Sequence, residues 1–149
     1  MRLRDGALAG LVGGIVSAAW GLAMSPILGT DMLRETRLAA MPLLGVAATR
    51  PGNGALPLLV GGASHLGVSI AWGIAFALAC GRRSPSATLA AGGLFGVVAW
   101  LAMHHVVLPI MGVGWIVRGF STARAITEHV VYGIGVALGL LWTRRRPEG

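Results

Sequence analysis

The stretch GALAGLVGGIVSAAWGLAMSPILG, residues 6–29, decides the fold. It contains no Asp, Glu, Lys or Arg, and it is longer than the roughly 20 residues that a helix needs to cross a hydrocarbon core of about 30 Å. Similar apolar runs occupy residues 55–80, 87–112 and about 123–142. Because backbone groups in lipid must be paired within their own segment, these runs are predicted to be helices. We therefore predict one all-α domain over residues 1–149, a polytopic membrane protein with four transmembrane helices in a Gly-rich bundle.

Composition supports this prediction. The chain is 55% hydrophobic and only 11% charged, with a mean hydropathy of +0.76, whereas about a quarter of the residues in soluble domains are charged. The net charge is +7, from 12 basic and 5 acidic residues, and all the basic residues are arginine because lysine is absent. In a soluble protein this excess would favour nucleic acid. Here the arginines flank the apolar runs, which is typical of membrane topology, so the expected partner is the lipid bilayer and not nucleic acid.

The distribution of arginine predicts the orientation. Seven arginines lie at the two termini and in the loop at 81–86, and five lie in the other two loops. This bias, counted by the positive-inside rule, places both termini in the cytoplasm of a bacterial inner membrane. The opening MRLRD resembles the start of a signal peptide, but the apolar stretch behind it is too long, so a retained first helix is expected.

The long loop at 30–54 contains a predicted surface helix, TDMLRETRLAAM, with Thr30 as its N-cap. Asp31 and Glu35 are four residues apart on it, which favours a solvated face over a catalytic pair. Ser121 is the expected N-cap of the fourth span.

Small residues recur at four-residue spacing in every span, a pattern that lets helices approach closely in lipid. We expect these positions to pack the bundle, or to form a homo-oligomer or larger membrane complex. They are Gly6, Gly10 and Gly14 with Gly13, Ser17 and Gly21; Ala63, Gly67, Ala71, Ala75 and Ala79; Gly92 and Gly96; and Gly135 and Gly139.

Three histidines are predicted to share one depth. His65, His104 and His129 each lie eight residues from the estimated loop-side boundary of their span, at residues 57, 112 and 121 respectively. At 1.5 Å per residue, all three lie about 12 Å below the outer surface. Glu128 precedes His129, and Pro109 deprives the carbonyl of His105 of its helical partner.

Ionisable residues in a span usually face the bundle interior and mark a functional site. The candidate site is therefore His65, His104, His129 and Glu128, which would bind a metal ion or haem, or respond to protons. Of the two adjacent histidines, His104 is the expected member of this site. Successive residues on a helix point about 100° apart, so His105 cannot face the same ligand. The alternative is a structural subunit or interaction protein without a ligand, in which the histidines join helices and Glu128 pairs with Arg124. No catalytic motif is present.

Three segments carry a resemblance to the YagU-like family of small bacterial inner-membrane proteins. They are SHLGVSIAWGIAFALA, GGLFGVVAWLAMHHVVLPIMG and ITEHVVYGIGVALGLLWTRR, within residues 60–146. His65, His104, Pro109, Gly112, Glu128 and His129 correspond to the family's motif positions, although the family's acid stands further ahead of the last histidine. The resemblance implies a multi-pass inner-membrane protein and no particular reaction.

Overall fold

The computed structural model describes residues 3–29, 31–50, 52, 54–115 and 121–145, and all their regular secondary structure is helical. The long helices are α1 (Leu3–Leu28), α4 (Leu56–Cys80), α5 (Pro85–Ala102) and α7 (Thr122–Arg144). The shorter elements are α2 (Met32–Ala39), α3 (Met41–Leu44), a 3-10 helix (Gly45–Thr49), a π-helix (Met103–Val107) and α6 (Leu108–Ile110).

Four helical segments are long and apolar enough to cross a membrane. They are Leu3–Leu28, Leu56–Cys80, Pro85–Ile110 and Thr122–Arg144, and each begins and ends within three residues of the sequence prediction. Outward-facing side chains such as Leu59, Leu78 and Leu94 are 63–70% exposed, as expected for a surface that contacts lipid acyl chains. The predicted all-α fold with four spans is confirmed.

The spans pack in the order α4, α1, α7, α5, and glycine determines where α1 meets its neighbours. Gly6, Gly10 and Gly14 lie against α4, where a methyl group on Gly10 would collide with backbone atoms of Ser69. Gly13 faces α7, where a methyl group would collide with Val136. Because glycine leaves no side chain in the way on either face, α1 fits between α4 and α7 at once.

The contact between α5 and α7 follows the same rule. A methyl group on Gly92 would lie 2.5 Å from the carbonyl oxygen of Gly133, and one on Gly96 would collide with the carbonyl of His129. Aromatic side chains pack α5 against α4, and the ring centroids of Phe95 and Phe76 are 5.0 Å apart. The prediction that glycine and other small residues pack the bundle is confirmed for α1, α5 and α7.

In the second span, the predicted ladder does not pack this bundle, and its role in an oligomer stays a prediction. Gly67 is exposed, and nothing lies within 4 Å of a methyl group placed on it; the other members of the predicted ladder, Ala63, Ala71, Ala75 and Ala79, are also exposed. The face of α4 that packs inward instead carries Ser69 and Gly73, both buried. Two small-residue faces exist on α4, and the spacing along the sequence did not reveal which of them meets α1.

Residues 31–49, which we call the cap, cover one end of the bundle. Asp31 is the N-cap of α2 and accepts hydrogen bonds from the backbone of Leu33 and Arg34 at 2.9 and 3.1 Å. The predicted surface helix is therefore present, but Asp31 caps it, and Thr30 lies outside the described residues. Ser121 occupies the N-cap position of α7 without a side-chain hydrogen bond. We call the end of the bundle beneath the cap the loop end and the opposite one the terminal end.

The third span changes its winding before Pro109. Residues Met103–Val107 form a π-helix, and the amide of Leu108 bonds to the carbonyl of Met103, five residues back. Pro109 has no N–H to continue the α-helical ladder, and a π-turn is one way in which a helix accommodates such a gap. Both adjacent histidines, His104 and His105, lie within this segment.

Two arginines cover the carbonyl end of α4 at the terminal end. Arg83 Nε donates to the carbonyl of Cys80 at 2.8 Å, and Arg144 donates to the carbonyl of Gly81. Carbonyls in the last turn of a helix have no partner within the helix, so these side chains replace the missing donors.

Candidate functional site

The structure brings two of the predicted residues into ring contact. His104 lies in the π-helix of the third span and His129 in α7, and their ring centroids are 5.4 Å apart with an interplanar angle of 73°. The close approach of α5 to α7 at Gly96 brings the two spans together beside His129. The imidazole contact therefore forms just beyond the glycine contact.

His65 lies on α4 and is anchored to a different neighbour. Its Nε2 atom is 3.0 Å from the carbonyl oxygen of Gly14 on α1. This hydrogen bond joins α4 to α1.

The backbone hydrogen bonds define the tautomers of two of these rings. A carbonyl can only accept, so Nε2 of His65 must carry a hydrogen and its Nδ1 keeps a lone pair. His129 has the opposite arrangement, since its Nδ1 atom lies 2.8 Å from the carbonyl of Ala125. The lone pair of neutral His129 is therefore on Nε2.

His104 has an unsatisfied ring nitrogen. Its Nδ1 atom is buried and has no hydrogen-bond partner within the described part of the chain. The carbonyl of Trp100 interacts with this ring but does not reach Nδ1 with hydrogen-bond geometry. Most buried polar groups in proteins are paired, so an unpaired one needs an explanation such as a water, an ion or a ligand.

His105 faces the other way. It is exposed on the surface of the bundle, with its ring edge-to-face with that of Trp100 at 5.7 Å. The two neighbouring imidazoles therefore differ in environment, and His105 is a natural control for experiments on His104.

Glu128 does not join the imidazoles, because Arg124 engages it. The Nε atom of Arg124 lies 2.9 Å from Oε1 of Glu128, which is the local pairing that the alternative interpretation of the sequence anticipated. Nη1 of the same guanidinium lies 2.6 Å from Oε1 of Glu35 in the cap. The side chain of Arg124 is only 9% exposed and that of Glu35 only 15%.

The prediction that Glu35 lies on a solvated face is wrong, because Glu35 is a partner in a shielded ion pair. Glu35 and Arg124 are 89 residues apart in the chain, so no local pattern connects them. Burial raises the pKa of the Glu35 carboxyl above its ordinary value. The positive charge of Arg124 lowers this pKa by a smaller amount, and the negative charge of Glu128 raises it.

As it stands, the arrangement offers an imidazole pair and no complete metal centre. Among the described residues, no three His, Cys, Asp or Glu side chains are arranged to hold a metal ion. No protein-family model, curated protein or solved structure matches this chain.

Proposed function

We propose that this integral membrane protein binds a first-row transition-metal ion, of which Zn²⁺ is the representative, between His104 and His129. The protein would lie in a bacterial inner membrane with both termini in the cytoplasm, in agreement with the arginine distribution. It would belong to the YagU-like family, which the second, third and fourth spans resemble.

The ring contact between His104 and His129 carries this proposal. With metal–nitrogen bonds of about 2.0–2.1 Å and a tetrahedral angle, two ligating imidazoles have ring centres about 5.3 Å apart. The observed centroid distance is 5.4 Å. Two imidazoles on opposite sides of a haem iron would have centres about 6.5 Å apart with the same bond lengths. The spacing fits a small ion and is too short for haem, and it also lies within the usual contact range of unliganded aromatic rings.

The hydrogen bonds of the rings also support metal binding. Metal-ligating histidines usually donate their other ring N–H to a backbone carbonyl or a carboxylate, which fixes the tautomer and the orientation of the ring. His129 has this arrangement, with Nδ1 bonded to the carbonyl of Ala125 and Nε2 available. The unpaired Nδ1 of His104 is a second donor atom, and water or a third protein ligand would complete the coordination.

A purely structural role is the second candidate, and two interhelical hydrogen bonds favour it. The His65–Gly14 hydrogen bond and the bond from the Tyr132 hydroxyl to the carbonyl of Ser69, at 2.7 Å, both join separate spans. In this alternative, the imidazoles contribute interhelical hydrogen bonds and bind no ligand.

Metal analysis of the purified full-length chain distinguishes the two. We expect detergent-solubilised protein to bind about one equivalent of Zn²⁺, and Co²⁺ in its place to give the visible absorption of a tetrahedral site. His104→Ala and His129→Ala should abolish the binding, whereas His105→Ala should retain it.

Failure of the parent protein to bind either metal, or equal loss of binding in His105→Ala and His104→Ala, would exclude the metal site. A Soret band in protein purified from cells would overturn the choice of a small ion over haem. A metal-free protein whose stability changes between about pH 5 and 8 would instead support the proton-responsive interpretation.

A further inference from the structure

The cap contacts two of the spans that carry the imidazoles, about one turn above each ring. The carbonyl of Thr36 lies directly against Gly61 of α4, four residues, or about 6 Å of helix, from His65. Glu35 pairs with Arg124 of α7, five residues, or about 7.5 Å of helix, from His129.

The third contact involves the end of the span that carries His104. Leu38 and Met41 of the cap form a buried apolar cluster with Val113, against which Leu108 packs. Leu108 follows His104 by four residues. The cap therefore bridges α4, α6 and α7 on the loop-end side of all three imidazoles, between them and the surface.

The cap is not tightly packed everywhere. A cavity of about 200 Å³ separates it from the start of α4, between Leu44 and Ala47 on one side and Leu56 on the other. The chain enters and leaves the cap near Gly29 and Gly54, whose φ angles of +62° and +58° are those that glycine adopts most readily.

Arg124 is the charged contact between the cap and a span. Its guanidinium pairs with Glu35 from the cap and with Glu128 from α7 at the same time. Without Arg124, the two carboxylates would face each other in a place where neither is well solvated, and removing one partner of a buried ion pair is strongly destabilising.

We infer that the cap is a lid over the imidazole site and that Arg124 is the latch that holds it closed. This inference rests on the proposed function and deepens it, because it names the route by which an ion from the aqueous phase would reach His104 and His129. Opening would break the contacts at Thr36 and Glu35 and the buried apolar cluster of Leu38 and Met41 with Val113, with the four spans unchanged.

Thiol labelling of the full-length chain in detergent tests the latch. In a Cys80→Ala background, Leu38→Cys places a thiol on the buried underside of the cap, where Leu38 is 6% exposed. Arg124→Gln should accelerate its reaction with a charged, water-soluble maleimide by about 5- to 30-fold, as expected for the loss of a shielded ion pair. Arg34→Gln removes the same charge from the exposed side of α2 and should leave the rate unchanged.

Labelling at the level of the imidazoles tests whether the cap controls access. His104→Cys should react faster in the Arg124→Gln protein than in the Arg124 protein. His105→Cys faces outward towards lipid, so its rate should not depend on residue 124. If Arg124→Gln accelerates labelling at position 38 but not at 104, the cap opens without exposing the site, and the lid is excluded.

A second substitution guards against simple misfolding of Arg124→Gln. Glu35→Gln added to Arg124→Gln removes the repulsion between carboxylates and should return the labelling rates towards those of the parent. If the double variant reacts as fast as Arg124→Gln alone, or if Arg34→Gln accelerates labelling equally, the latch is wrong.

These measurements use no metal, so their failure is distinguishable from failure of the metal site. Protein that binds Zn²⁺ but shows no effect of residue 124 on labelling retains the proposed function and loses the lid. Protein that binds no Zn²⁺ but shows the full labelling pattern loses the metal site and retains the lid as a device that shields the imidazoles.

Discussion

The two parts of the third span pack in different ways. From Pro85 to Ala102 it is a regular α-helix whose Gly92 and Gly96 lie against the backbone of α7. From Met103 to Ile110 it contains the π-helix and the last α-helical turn, and no residue there is buried. The imidazole pair forms at the boundary between these two parts.

This difference shows why titratable rings are tolerated in so apolar a chain. Where glycine brings two backbones together, no space remains for a side chain between them. Beyond the last glycine contact the helices have side chains between them, and His104 and His129 occupy that position. The close-packed part provides the fixed geometry, and the open part provides the chemical groups.

The largest effect should come from filling the close-packed part. Gly92→Ala would place a methyl group 2.5 Å from the carbonyl of Gly133 and 2.7 Å from Cβ of Ala137, so the helices must separate at a cost of about 1–3 kcal/mol. The matched control is Gly93→Ala on the same helix, where nothing lies within 4 Å and stability should change by less than about 0.5 kcal/mol. Unfolding in detergent, followed by circular dichroism, measures both, and equal changes would contradict the packing.

An intermediate effect should come from converting the π-helix at the loop end of the third span into a regular α-helix. Pro109→Ala supplies the missing N–H, so the carbonyl of His105 gains an α-helical partner and the π-helix is lost. The resulting rotation of His104 away from His129 should weaken Zn²⁺ binding about tenfold, the equivalent of about 1.4 kcal/mol. Titration calorimetry measures this. Pro85→Ala, at the first turn of α5 where proline is tolerated, is the control, and an unchanged affinity in Pro109→Ala would refute the role of the π-helix.

The smallest effect should be the pH dependence of cap closure. The cap lies over the loop-end part of the third span, which contains the π-helix, and not over its close-packed part. The charged groups around Glu35 are Arg124, Glu128 and Arg34. Burial raises the pKa of Glu35 in the closed cap above 4.5, so the closed state binds the proton more tightly than the open state. Closure is therefore favoured in acid and weakens as the pH rises above 4.5 through the raised pKa.

Hydrogen–deuterium exchange of residues 33–39, corrected for intrinsic rates, measures this dependence against residues 92–96 as an internal reference. Protection should fall modestly with rising pH and then level off once the Glu35 carboxyl is fully ionised. The fall should stay modest because Arg124 still pairs with the ionised carboxylate. Glu35→Gln should remove the dependence. Protection that increases with pH over this range would show that the sign is wrong.

The spans were predictable because hydropathy over about 20 residues is a local property. The glycine contacts of α1 and α5 were also predictable, because glycines at four-residue spacing, such as Gly6, Gly10 and Gly14 or Gly92 and Gly96, let helices approach closely. On α4 the prediction of the packed face was wrong because both Gly67 and Gly73 belong to small-residue faces. Only the position of α1 in the assembled bundle distinguishes those faces.

The candidate site was predictable in part. Equal depth in three spans indicated that His104 and His129 could meet, and Pro109 indicated an irregular helix near them. The engagement of Glu128 by Arg124 was considered as an alternative. The ion pair to Glu35 was not foreseen, because it depends on how the loop folds back over the bundle and not on any spacing within one element.

In the orientation that we propose, the arginines at the terminal end couple insertion to folding. Arg83 and Arg144 would then be among the cytoplasmic charges that orient the spans, and the same two guanidinium groups bond to carbonyls at the end of α4. Replacing these arginines with neutral residues in order to invert the membrane orientation would also leave those carbonyls without donors. The last turn of α4 would then fray. Orientation and thermal stability are therefore not independent traits in this chain, and a topology mutant here must be assayed for both.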